Sequence, residues 1–349
     1  MRAFTAAFAL FLSIDAGMMA QNQHVDLALP TDNDALLRGP AAAGEFYQHI
    51  ERDYQGEKST PWEGGQYGFV RDPKETGAGI VYTRFHEGID IKPMQRDANG
   101  EPLDEVRAIA EGKVVHVNPA AGYSNYGRYV VIEHRWDGSS YYSLYGHLNT
   151  IAVKPGQRVQ KGENIGVMGY TGVGINRERA HVHLELNLML SHKFESWHDA
   201  VHKNDPNHNG IYNGINLIGL NIARLYLALQ KNPDLTIPEF LLSEETFYKV
   251  ALPRSSHFEL VHAYPWMVTK SADQRTQSWE VSFTRSGLPL KIEGSPKKVR
   301  QPELTYVKKT PADASDYTIG KVMGRGGRGG RGQLTAGGVT MMHLLIWPD

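Results

Sequence analysis

The chain has no cysteine. That removes disulfides, thiolate nucleophiles and cysteine-type zinc sites, so a transition metal has to be held by the 15 histidines and by carboxylates. An excess of one charge is also missing. With 37 basic against 38 acidic residues the formal net charge is −1, and no global field draws the molecule onto nucleic acid or an anionic membrane. Nor does any run reach the roughly 18 uninterrupted apolar residues of a membrane helix. What is present is a chain of 349 residues, 41% hydrophobic, sized for two or three units around substantial cores.

Met1-Arg2 places a positive charge ahead of an apolar stretch from Ala3 to Ile14, too short to span a bilayer but suited to the h-region of an export signal. Residues 1–20 are expected as a signal peptide, cleaved after Ala20 or earlier near Asp15-Ala16. The expected location is the periplasm, cell envelope or extracellular space, with no stable membrane insertion after signal removal.

Residues 21–44 are polar, contain Pro30 and Pro40, and read as a linker or a loosely attached strand. Between 45 and 195 short β-branched and aromatic runs alternate with glycine turns, at 79–83, 113–117, 129–133, 141–148, 166–168 and 181–190, and predict an all-β core. The polar stretch 94–104 holds Asn99-Gly100 and reads as a surface loop, a candidate overhang on a site. Helix is expected in 196–250, with candidates at 194–202, 213–230 and, led by Pro238, 237–250. From 251 to 349 strand-like runs return, including 279–284 and 288–292 joined across Ser286-Gly287, and predict a C-terminal β-rich module. The fold class is therefore mainly β with α additions (α+β).

Three motifs in the first β region carry metal-competent or proton-transferring groups: His86-Glu-Gly-Ile-Asp90, Tyr145-Gly-His147-Leu148 and His181-Val-His183-Leu-Glu185. From His181 to Leu190 the chain alternates strictly, so His181, His183, Glu185 and Asn187 share one strand face. At about 3.3 Å per residue the two histidine Cα atoms stand about 7 Å apart, which lets one bind a metal while the other reaches water or substrate. His86 and Asp90 also share a face, but about 13 Å apart in extended chain. Gly88 between them is expected to let the chain bend and bring both to one metal. A competing reading, a damaged HExxH helix with Glu87 as base, is disfavoured by Gly88, Ile80-Val81, Ile89, Ile91 and Pro93. Glu185 fits either an orienting partner for an imidazole or a solvated strand residue.

These motifs, in this order, together with FHEGIDIKP, YGRYVVIEH, YSLYGHLNTIAVKPGQRVQKGENIGVMGYTG and HVHLELNL, resemble the lysostaphin-type (LytM-like) zinc endopeptidases that cut peptidoglycan peptides. The likeness covers residues 65–190 and implies an antiparallel β-sheet peptidase core of the duplicated hybrid-motif type, here residues 45–195. It implies one zinc ion per chain on His86, Asp90 and His183, catalytic roles for His147 and His181, and peptidoglycan as the partner. The implied reaction is hydrolysis of peptide bonds in stem peptides or cross-bridges. Two rivals are a non-catalytic wall-binding activator of an amidase and a secreted peptidase acting on glycine-rich proteins. Departures from the family pattern are a longer connection from Asp90 to Val106 and the charged Arg177-Glu178-Arg179 ahead of His181, which reads as a solvated turn or as a contact for an anionic part of the substrate.

Weaker signals complete the reading. Asp205-x-Asn207-x-Asn209-Gly210 matches the first half of a calcium loop, but Asn216 stands where a bidentate Glu belongs, so calcium at Asp205–Asn216 is the lesser reading beside an ordinary loop. His198 and His202 have helical i, i+4 spacing, more simply a surface helix face than a metal site. Arg325, Arg328 and Arg331 lie in an RGG-like tract, but an exported protein has no use for RNA, and no nucleic-acid partner is expected. His116 and His134 lie in strands without matching partners and read as structural or exposed.

Overall fold

The strand Val182–Met189 organises the structure, a computed structural model that describes residues 24–48, 53–54, 57–58, 64–76, 79–309, 323–324 and 332–349. The expected signal peptide and Arg325, Arg328 and Arg331 lie outside the described residues. Val182–Met189 is central in an antiparallel sheet whose order runs from Arg158–Val159 through Gly112–Asn118, Tyr129–Trp136 and Ser139–Gly146 to Val182–Met189. On the far edge of that strand two short segments share the pairing, Ile89–Ile91 along its first half and Leu217–Gly219 along its second. A small sheet of Thr150–Ile151, Asn164–Val167 and Glu105–Arg107 stands beside it.

The strict alternation of 181–190 appears as two separate packings. Val182, Leu184, Leu186 and Leu188 enter the main core, with Val130, Ile132 and Tyr145. The opposite face meets a smaller cluster of Tyr129, Val131, Tyr142, Leu144, Met189 and Leu217. Every residue of Val182–Met189 is buried, so its polar face is covered rather than washed by solvent.

Downstream, the 194–202 expectation corresponds to the helix Phe194–Val201. The expected helix 213–230 is instead the strand Leu217–Gly219 followed by the helix Ile222–Lys231, with Asn221 capping the Arg224 amide. Gly219 marks the break: a Cβ there would stand 2.0 Å from the Glu87 carbonyl oxygen, so this segment lies flat against the chain that leads to Asp90. The expected helix 237–250 ends early, at Ile237–Leu242, after a capping box between Thr236 and Glu239. Tyr248–Pro253 is already a strand of the second sheet, ordered Val268–Lys270, Pro289–Ser295, Ser278–Phe283, Tyr248–Pro253 and Glu303–Val307. The C-terminal helix Ala336–Leu344 packs against Phe194–Val201, with Trp197 Nε1 donating to Thr340 O at 3.2 Å.

Two expectations about independence need correction. The segment expected as a linker is packed: Val25, Ala35, Leu36, Ala42 and Phe46 are buried in the main core, and Lys92 N donates to Phe46 O at 2.9 Å. The C-terminal sheet shares that core too, through Val250, Phe283 and Ile292, and Tyr264 Oη accepts from the Met189 amide at 2.8 Å. Apolar side chains that a separate module would leave exposed are thus removed from water by contact between the two sheets.

His134 is a structural histidine of this core. Its Nδ1 lies 2.7 Å from Glu111 O and its Nε2 2.7 Å from Ser143 Oγ, and burial holds its pKa at about 4. The unfolded chain binds this proton near 6.5, so the contribution is complete above pH 6.5 and is lost as pH falls from there to about 4. A difference of that size corresponds to roughly 3 kcal/mol. Denaturant unfolding of wild type and His134→Gln at pH 7 and pH 4.5 should show a markedly flatter pH dependence in the variant; parallel curves would show that His134 titrates alike in both states.

Candidate metal centre

Register alone gathers the first donors. His183 pairs with Asp90 on one side and with Gly146 on the other. Directly opposed residues have Cβ atoms about 4.5–5.5 Å apart, so Asp90 and His183 must meet, and His147 follows Gly146 out of the same rung. Asp90 Oδ1 lies 2.8 Å from His183 Nδ1 and 3.0 Å from His86 Nε2, and the two nitrogens are 3.1 Å apart. His181 Nε2 is 3.4 Å from the same carboxylate oxygen. The His147 ring centroid is 4.7 Å from that of His181 and 5.8 Å from that of His183. All five predicted residues come together in one groove of about 740 Å³.

Gly88 has a different reason from the one its position suggested. Its φ is not in the left-handed region; instead a Cβ there would stand 2.5 Å from Leu184 O and 2.9 Å from His183 Cε1. The glycine permits close approach of two strands, and no helix forms around Glu87. Backbone strain sits at His147, a non-glycine residue at φ 62° whose amide donates to Tyr126 O at 2.7 Å.

Each imidazole is oriented by a hydrogen bond on its far side. His86 Nδ1 donates to Gln66 O at 2.8 Å, His147 Nδ1 to Thr171 O at 2.7 Å, and His181 Nδ1 to Arg179 O at 2.7 Å. A carbonyl oxygen only accepts, so those nitrogens carry the proton and the Nε2 atoms keep their lone pairs. His183 is reversed: its Nε2 donates to Glu185 Oε1 at 2.7 Å, which leaves Nδ1 for Asp90 and His86.

The electrostatics follow from crowding these groups out of water. Burial lowers the His86 pKa, and burial with the neighbouring His181 and His183 holds His147 well below the usual imidazole range. Burial would raise the Asp90 carboxyl, but the surrounding imidazoles outweigh it and hold it far down. For His183, burial is outweighed by its bonds to Asp90 and Glu185, which lift it to about 9. The Nε2 lone pairs of His86 and His181 thus converge with the His183 imidazole around an ionised oxygen; the positive charge there is the His183 proton, which a bound metal ion would displace. Donors about 2.0–2.2 Å from a tetrahedral centre stand about 3.4 Å from one another. The observed spacings of 2.8–3.1 Å need only a slight opening, so His86, Asp90 and His183 fit a zinc ion. Among the described residues they are also the only group of histidines and carboxylates close enough to hold a metal.

Sequence reasoning undervalued Glu185. It is 1% exposed, its Oε1 also accepts from Tyr126 Oη at 2.9 Å, and its Oε2 accepts from Asn187 Nδ2 at 3.0 Å. Burial would raise this carboxyl, but the three donors outweigh it and keep it ionised. Such a carboxylate fixes the tautomer of His183 and raises the basicity of its free nitrogen. Glu185→Gln is therefore expected to weaken zinc binding by roughly 10- to 100-fold in a chelator competition, with unchanged far-ultraviolet circular dichroism.

The other candidates fare differently. Asn207 Oδ1 accepts from the Asn209 amide and from Asn213 Nδ2, while the Asn216 amide binds Ser191 O and Ile211 O. These side chains are spent on closing their own loop, so the calcium reading is not carried forward. His198 and His202 have ring centroids 4.9 Å apart with no third metal donor in range among the described residues. His116 is half-buried against Asn209 Oδ1. The 94–104 loop is not an overhang: it supplies none of the described groove lining. It braces the neighbouring loop, with Arg96 Nη1 donating to Arg177 O at 2.8 Å and Glu101 accepting from Tyr170 Oη at 3.2 Å. That braced loop contributes Val173, Gly174, Ile175 and Arg179 to the groove.

Comparison with known proteins addresses the same stretch. The description of Peptidase family M23 matches residues 84–193, which contain all five residues. An uncharacterized metalloprotease of Haemophilus influenzae is 38% identical over 105 residues, 30% of this chain and 19% of that protein. The peptidoglycan DD-endopeptidase ShyA of Vibrio cholerae is 45% identical over 60 residues, 17% of this chain and 13% of that protein. The chain thus spans a fifth or less of either of these relatives. Lipoprotein NlpD of Yersinia enterocolitica is 36% identical over 76 residues, 22% of this chain but 73% of that protein. With donors, register and sequence coinciding over one segment, the chain belongs to Peptidase family M23.

Proposed function

We propose that this protein is an exported zinc endopeptidase that hydrolyses peptide bonds in the stem peptides or cross-bridges of peptidoglycan. One observation carries the reading. Four imidazoles each spend one ring nitrogen on an oxygen outside the centre, and their other nitrogens are left for one groove around the Asp90 carboxylate.

In this reading His86 Nε2, Asp90 Oδ1 and His183 Nδ1 hold the zinc ion. Zinc supplies, when bound, the Lewis acidity that makes water nucleophilic near neutral pH. His147 and His181 present Nε2 to the groove with lone pairs fixed by Thr171 O and Arg179 O. Burial keeps His147 neutral, so its lone pair is free though weakly basic, and between them the pair takes a proton from attacking water and delivers one to the leaving amine. The protonated partner also faces the oxygen that gains negative charge as the amide carbon becomes tetrahedral. Val173, exposed at 74%, and the stacked rings of Tyr123 and His208, 4.2 Å between centroids, offer apolar surface along the groove for an extended peptide.

The test is direct. Zinc-loaded protein incubated with purified sacculi should release muropeptides with newly cleaved amide bonds, identified by mass spectrometry. Stoichiometric zinc without release, but with stimulation of an added amidase, would overturn the reading in favour of a wall-binding activator. Cleavage of glycine-rich protein in preference to sacculi would overturn the substrate assignment.

A further inference from the structure

Two arginines in the groove carry an unsatisfied Nε. Arg71 and Arg179 both line it, and the Nε of each is shielded from solvent without a hydrogen bond. Arg179 uses Nη1 on Gly174 O at 2.7 Å, and neither guanidinium forms an ion pair among the described residues. Three of the acidic groups that line the groove are engaged elsewhere: Asp72 by Arg84 Nε at 2.8 Å, Asp90 by imidazoles, and Glu185 by His183 and Tyr126. A shielded donor with no acceptor is costly and calls for an explanation.

Placement supplies one. Val70–Thr76 and Gly79–Phe85 are antiparallel, Arg71 stands opposite Arg84, and the His86 amide continues the ladder to Phe69 O at 2.9 Å. Arg71 is therefore diagonal to His86, about 7–8 Å away between backbones. Like charges opposed on a ladder destabilise it, so the Arg71–Arg84 pair is not there for the hairpin's stability. Arg179 lies two residues before His181, on the loop braced by Arg96. The Arg177-Glu178-Arg179 turn is solvated only in part: Arg177 and Glu178 are exposed, and Arg179 is half-buried.

Building on the peptide-hydrolysing role argued above, we infer that Arg71 and Arg179 bind a free carboxylate of the substrate peptide, and so select peptides that carry an acidic group close to the scissile bond. Guanidinium groups match carboxylates with paired N–H donors, and such charge-assisted bonds are worth roughly tenfold or more in affinity. The carboxylate comes from an acidic side chain or from a peptide C-terminus.

Equilibrium binding to the full zinc-loaded chain separates these sources. Three peptides of one sequence are compared: unmodified, with the side-chain carboxylate amidated, and with the C-terminal carboxylate amidated. Amidation at one position should lower wild-type affinity by about tenfold or more, and the position names the source. Arg71→Gln and Arg179→Gln should bind unmodified and amidated peptides alike, whereas Arg84→Gln, whose guanidinium is already paired with Asp72, should keep the preference. No wild-type preference at either position, or a preference undiminished in both Gln variants, overturns the inference. Binding is read without turnover, so a preference in a chain that hydrolyses nothing would sink the endopeptidase reading alone.

Discussion

Replacing His183 with alanine is expected to remove both zinc and hydrolysis while leaving the sheet in place. In the proposed centre His183 would provide one of three donor atoms, and its backbone lies between Asp90 and Gly146 in the central ladder. Loss of the imidazole leaves two donors, too few for a closed set around a tetrahedral ion. It also leaves Asp90 and Glu185 buried without the group that bridges them. Removing one partner of a buried charge pair costs about 3–5 kcal/mol, softened here because Glu185 keeps Tyr126 and Asn187 and Asp90 keeps His86. The expected result is a folded protein of lower Tm, with zinc by elemental analysis falling from one per chain to near none and muropeptide release falling below detection. Retention of a full equivalent of zinc by His183→Ala would remove this residue from the metal set.

His147→Ala and His181→Ala should separate what His183→Ala joins. Neither ring belongs to the donor group of His86, Asp90 and His183, so zinc stays at one per chain. On the proposed roles their loss removes proton transfer, which contributes about 100- to 10,000-fold, and hydrolysis should fall within that range. The two are not equivalent in the structure. His181 Nε2 reaches Asp90 Oδ1 at 3.4 Å, whereas His147 is held at a left-handed backbone angle over Thr171. His181→Ala is therefore expected to weaken zinc affinity slightly as well, and His147→Ala to leave it unchanged. Equal loss of zinc in all three variants would collapse the division into ligands and proton carriers.

Much of the centre was legible because period-two alternation in one strand fixes which side chains share a face. His181, His183 and Glu185 could be placed together from sequence alone, as could His86 with Asp90, and the family likeness joined these with His147 into one centre. The standing of Glu185 could not be read that way. Whether a polar strand face is wet or covered depends on what folds over it, and its cover, Tyr126, is 59 residues distant. The helix expected over 213–230 failed for a related reason. Leu217 and Ile218 belong to a strand edge and Ile222 and Leu225 to a helix, yet a run of apolar residues looks alike in both. The break lies at Gly219 and Asn221, whose meaning depends on contact with Glu87 and on the helix cap. The helix start at Ile237 was readable from Pro238, but its end before Tyr248 was set by pairing with Phe283 and Val307, far along the chain.

The placement of His183 in the middle of the ladder has a consequence for how the molecule matures. His86 and Asp90 are separated from it by 97 and 93 residues, and they meet only when Val182–Met189 zips between Ile89–Ile91 and Ser139–Gly146. A one-residue slip in that pairing turns His181, His183 and Glu185 to the opposite side of the sheet. A misaligned chain therefore lacks the assembled donor set, and on the proposed role it stays inactive until this strand pairs in register.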